Sequence, residues 1–295
     1  MMGKGELQIF LGASLFAFIP VAISLDPASS MVSLLTGRLV VAVVVLGIIK
    51  GKGLGARALN KSQFIKLTVW SVLMLGAMLS YFYAIAVTGM AVSASLLGMQ
   101  PLLLVLMSVV FLKERLSILA VAGALLTLVG VYLITSAGLS GNNFFLYGMV
   151  AAIFSAFLLG LIFVFQKKHL MEIDAMDAVF YQSLLQLPLL IPLFLFYPPQ
   201  FSSDYFIAIT LLGLVCTVGS YGLIYSGAKK VSTQKIGVLQ CIEYVIPVFI
   251  GILIFNETPG TTVCVGSALI LAASSMVMMK TKTARIYNPK RLSSI

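Results

Sequence analysis

Two charges stand where a chain this apolar would least tolerate them. Glu243 lies near the middle of Val238 to Phe255, "VLQCIEYVIPVFIGILIF", and Arg38 lies in "GRLVVAVVVL". A charge inside an apolar span must be neutralised, paired or turned toward a wet cavity. At roughly 1.5 Å per helical residue, in a hydrocarbon core roughly 30 Å thick, the two backbones differ in depth by only several Å, a gap an arginine can bridge. Two roles stay open, besides a side chain that snorkels on the lipid side or charges at unmatched depths. The pair could be an ion pair locking two helices together. Or it could line a transport path, Arg38 binding an anionic group such as a carboxylate and Glu243 binding a cationic group or a coupling proton.

The polar residues around these charges recur at helical spacing. Gln240, Glu243, Tyr244, Pro247 and Gly251 form one stripe, at i, i+3, i+4, i+7 and i+11. Ser93 and Gln100 share a face of one helix, Gly76, Ser80 and Tyr83 of another, Thr217, Ser220, Tyr221 and Tyr225 of a third, and Gln182 and Gln186 of a fourth. Polar groups stacked on an apolar helix face protein or water rather than lipid. The expected substrate-binding set is therefore Arg38, Glu243, Gln100, Ser80, Tyr83, Ser93, Tyr221, Tyr225, Gln240 and Tyr244. The plainer readings are that Ser and Thr bond back to their own helix and that a Tyr anchors at the membrane interface. Pro101 and Pro247 free backbone carbonyls and are hinge candidates, or simple kinks.

The elements that must carry these residues are membrane helices. Of 295 residues 60% are hydrophobic and 9% charged, and the mean hydropathy is +1.10, more apolar surface than a water-soluble fold can bury. Ten segments are long enough to cross, at 7–25, 31–49, 67–86, 90–112, 116–136, 144–166, 176–196, 205–228, 233–255 and 260–279. The first is expected to stay as a helix rather than be cleaved as a leader. The stretch from Lys50 to Lys66 reads as a linker. With the N-terminus in the cytoplasm, every Lys and Arg except Arg38 falls in a cytoplasmic loop or tail. The net charge of +10 is thus an orientation signal for a multi-pass protein of the cytoplasmic membrane with both termini inside, not a nucleic-acid surface.

The chain also repeats itself. Shifted by 143 positions, Glu114 in "VVFLKE" meets Glu257 in "ILIFNE", and Gly123 meets Gly266. This divides it into 1–140 and 141–280, followed by a basic tail at 281–295. Five helices per half is an odd number, so the second half enters the membrane from the opposite side. The fold class is all-α integral membrane, ten transmembrane helices as two inverted five-helix repeats, an architecture used for alternating access. "SLLGMQPLLLVLMSVVFLKERLSILAVAGALLTLVGVYLI", with Pro101, Glu114 and Gly123, resembles the drug/metabolite transporter superfamily, EamA-type branch, and Arg38 resembles the arginine of its second helix. The second half departs from the pattern, carrying Glu243 and Tyr244 where the first has Gln100 and Pro101. The resemblance implies ten helices and secondary transport, often export, of amino acids or other small metabolites.

Other chemistries find no support. Cys216, Cys241 and Cys264 have neither paired spacing nor a neighbouring histidine, and His169 lies in a polar loop. No nucleophile triad or metal-ligand cluster is present, so neither enzyme activity, metal nor cofactor is expected. The expected partners are a small-molecule substrate and the lipid bilayer, with no nucleic acid, and the chain is expected to work as a monomer. An uncoupled facilitator and a non-transporting scaffold or receptor are the alternatives.

Overall fold

The computed structural model describes residues 3–51, 60–112, 118–138, 143–231, 236 and 239–279. Among them ten helical spans follow one another with no strand. They are α1 (Lys4–Leu25), α2 (Met31–Lys50), α3 (61–88), α4 (90–112), α5 (Ile118–Gly138), α6 (Asn143–His169), α7 (Ala175–Phe196), α8 (Ser203–Ala228), α9 (239–253) and α10 (Thr261–Met279). Helices α3 and α4 are continuous except at Gly89, whose φ of +81° and ψ of 174° end one helix and begin the next. A backbone with that φ favours glycine.

The helix starts follow from side chains that supply what the first turn lacks. Asn60 Oδ1 accepts from the Gln63 N–H at 2.7 Å while Gln63 Oε1 accepts from the Asn60 N–H at 3.2 Å. This capping box draws 61–66 into α3, so the expected linker is shorter than Lys50 to Lys66, and its residues 52–59 lie outside the described ones. Ser30 caps α2, Asp174 caps α7 and Ser202 caps α8.

Apolar side chains cover the outside as well as the core. Phe196 is 80% exposed and Leu253 74%, while Trp70, Tyr81 and Phe82 are buried. Lipid must cover such a surface. Among the described residues six spans are individually long and apolar enough to cross a membrane, among them α1, α2, α6, α7 and α8.

Most of the described lysines gather at one end. Lys50 pairs with Asp174 and Asp177, Lys229 donates to the Ile173 carbonyl, Lys167 donates to the Val231 carbonyl at 2.8 Å, and Lys230 donates to Gln8 Oε1 at 2.9 Å. The Lys50 ammonium holds the Asp174 carboxyl below the usual carboxylate range. Asp174 is 60% exposed, so the pair ties α2 to α7 with little net stabilisation.

Helices α5 and α10 meet backbone to backbone. A Cβ built on Gly130 would lie 2.7 Å from the Gly266 carbonyl oxygen, and one on Gly266 would lie 2.6 Å from the Gly130 carbonyl oxygen. Small residues permit this approach in lipid. Gly130→Leu should therefore force the helices apart and cost about 1–3 kcal/mol, seen as a lower Tm in detergent. An unchanged Tm would contradict the packing.

Candidate functional site

Helices α4 and α9 are interrupted at matching places. In α4 the chain turns at Gly98 and Met99, where the Met99 N–H bonds back to the Leu96 carbonyl at 3.1 Å. In α9 it turns at Cys241, where the Tyr244 N–H bonds to the Cys241 carbonyl at 3.2 Å. Gly98 and Cys241 are 143 residues apart, the spacing of the repeat. Prolines follow each break. Pro101 offers no N–H to the Leu97 carbonyl and Pro247 none to that of Glu243. Each break therefore starts a new half-helix inside the bundle, and the first turns of these half-helices carry Gln100 and Glu243. A carboxylate in a first turn is favoured by the helix dipole.

These half-helices meet across the seam between the repeats. Tyr244 OH donates to Gln100 Oε1 at 2.5 Å. Beside them is a cavity of about 10 Å³, roughly the room of one water molecule. Its polar wall is Gln100, Tyr221, Tyr225, Gln240 and Glu243, and Phe16, Met74, Leu159, Ile162 and Phe163 form much of the rest. Glu243 is 4% exposed and Gln240 3%. An organic substrate fits only if the helices part.

Arg38 stands one step behind this wall and is fully buried. Its Nη1 donates to Met78 Sδ at 3.5 Å, and Tyr221 OH donates to the same sulfur at 3.6 Å. Its guanidinium carbon lies 5.9 Å from the Phe82 ring centre. Among the described residues, none accepts a hydrogen bond of good geometry from Nε or Nη2. The ion pairs among the described residues are those of Lys50, so Arg38 and Glu243 do not pair. The alternative that the two charges only lock α2 to α9 is not met in this conformation. Around Arg38 helix α8 winds as a π-helix over Leu211–Gly219, and the absent side chain of Gly213 lets it approach the Arg38 carbonyl. Such widened turns recur at functional sites.

The remaining expected residues divide. Tyr225 stacks on Tyr221 with ring centres 5.4 Å apart and donates to Gln182 Oε1 at 3.0 Å. Gln186 Nε2 donates to the Ser71 carbonyl at 3.0 Å. Ser93 Oγ instead turns back to the Gly89 carbonyl at 2.7 Å. Ser80 and Tyr83 are half-buried and outside the cavity wall, because α3 presents Met74 there. Pro247 is buried within α9. The apolar wall from α1 and α6 carries no sequence signal, since a cavity-facing Leu159 or Phe163 reads like any lipid-facing one. Asp26, also buried, lies just past the end of α1 and was not anticipated.

The other residue that spacing alone did not assign a role is Glu257. Its Oε1 accepts from the Met90 N–H at 2.6 Å and its Oε2 from the Ala91 N–H at 2.8 Å. It thereby joins the end of α9 to the start of α4. The repeat had already set Glu257 opposite Glu114, which lies outside the described residues.

The EamA-like transporter family matches residues 3–136 and matches again at 146–279. The chain belongs to that family. As an EamA-like protein it is a multi-pass membrane transporter. A curated relative, described as an uncharacterized transporter, comes from Archaeoglobus fulgidus (strain ATCC 49558 / DSM 4304 / JCM 9628 / NBRC 100126 / VC-16). It is 30% identical over 193 residues, 65% of this chain and 68% of the relative. A solved crystal structure superposes with a TM-score of 0.68 at 19% identity, covering 95% of this chain and 98% of the other. That likeness is one of fold.

Proposed function

We propose that this EamA-like transporter is a secondary transporter, working as an exporter, for a small organic metabolite bearing both an anionic and a cationic group, such as an amino acid. The two repeats rock about the seam between α4 and α9. Arg38 takes the anionic group, and Glu243 takes the cationic group or exchanges it for a proton. Gln100, Gln240, Tyr221, Tyr225 and Tyr244 orient the substrate, and the interrupted turns before Gln100 and Glu243 flex. The lysine-bearing end faces the cytoplasm, as the one-sided placement of basic residues favours.

The observation that carries this reading is the state of Arg38. A guanidinium at a helix centre costs about 2.5–3.5 kcal/mol even on the mildest scale, and among the described residues no carboxylate pairs with Arg38 to offset it. A structural arginine would have its carboxylate in place. An arginine that receives an anion only during transport has its donors free between cycles.

The test uses proteoliposomes loaded with a metabolite extract under an imposed pH gradient, with mass spectrometry of what crosses. The expected result is selective loss of zwitterionic metabolites, faster with the proton gradient than without it. Selective flux indifferent to pH would replace coupling with facilitation. No flux from folded protein, with amino acids present in the extract, would overturn the proposal.

A further inference from the structure

Glu257 is held by an arrangement more specific than a helix cap. Asn256 adopts a φ of +51°, and the Glu257 N–H bonds to the Gly251 carbonyl at 2.9 Å, folding the chain back over the end of α9. The carboxylate then fits between two glycines. A Cβ on Gly89 would lie 2.9 Å from Oε1, and one on Gly251 would lie 2.7 Å from Oε2. Both oxygens are used, each by an N–H of the first turn of α4, donors that have no partner within their own helix. Bonds from N–H to an ionised carboxylate are about twice as strong as neutral ones.

The contact crosses from the second repeat to the first, at the end of the bundle remote from the lysines. Resting on the alternating-access reading, we propose that Glu257 is the latch of that remote gate, positioning α4 against α9 while the gate is closed.

Spin labels on cysteines replacing Ala86 and Leu253, in a background without native cysteines, report the separation of α3 and α9 at the remote end by pulsed dipolar spectroscopy in nanodiscs. Glu257→Gln keeps the size but sets an NH2 against one of the two donors. It is expected to shift the open-to-closed ratio toward open by at least about tenfold. Gly89→Ala, which displaces the carboxylate without changing its charge, should do the same. Gly251→Ala replaces Glu257→Gln if the latter does not fold. Distances unchanged by both Glu257→Gln and Gly89→Ala would overturn the latch. Wild-type flux is measured in parallel. Flux with unchanged distances refutes only the latch, whereas a distance shift without wild-type flux refutes only the transport reading.

Discussion

Arg38→Met should fold at least as stably as the natural chain and lose nearly all substrate flux. Methionine fills a similar volume among Met78, Phe82 and Tyr221, and it removes a buried cation that no carboxylate among the described residues offsets. Replacing a buried charge by an apolar group of similar size is often neutral or stabilising. Function should move the opposite way. A hydrogen bond from a charged donor is worth about 1.5–3 kcal/mol, so losing one to the substrate's anionic group means about 10- to 150-fold weaker recognition. Arg38→Lys should not restore it, because a point charge cannot reproduce two parallel donors. The checks are thermal unfolding in detergent and substrate-dependent flux in vesicles. A variant that unfolds early but transports normally when folded would return Arg38 to a structural role.

Glu243→Gln should retain the fold and abolish uphill movement. The amide keeps the shape of a side chain in the first turn of the half-helix Ile242–Leu253, but it can neither release a proton nor hold a cation by charge. Substrate exchange across the membrane with no gradient should persist at a reduced rate, while accumulation driven by a pH difference should disappear. Gln100 occupies the matching position in the first repeat and touches the same cavity, so Gln100→Glu combined with Glu243→Gln asks whether the carboxylate can act from either side of the seam. Wild-type accumulation by Glu243→Gln would sink the coupling role.

The fold was readable because lipid imposes a ruler. The ten apolar segments predicted the described helices to within a few residues except at the start of α3, which the capping box at Asn60 extends back to Lys61, while the first residues of the segment expected at 233–255 lie largely outside the described residues. Arg38 and Glu243 stood out because charge is conspicuous in an apolar run, and the repeat set Gln100 opposite Glu243 before any distance was known. Ser80 was placed on the wall by spacing alone. In a helix apolar on all sides spacing fixes which residues share a face, but not which way that face turns, and α3 turns Met74 to the cavity. Glu257 was visible only as a marker of the repeat, because its partners are backbone amides, which every residue has.

The site proposed around Arg38 and Glu243 also carries an expectation about membrane voltage. With Glu243 ionised the empty site has no net charge, and a bound zwitterion adds none, so such a step crosses the field at no electrical cost. With Glu243 protonated the site carries the single positive charge of Arg38. A charge moved through the whole field changes energy by about 2.3 kcal/mol per 100 mV. On the proposed mechanism, the balance between one guanidinium and one carboxyl would make voltage a selective influence on the proton-loaded form, and a zwitterion's own passage would be electrically silent.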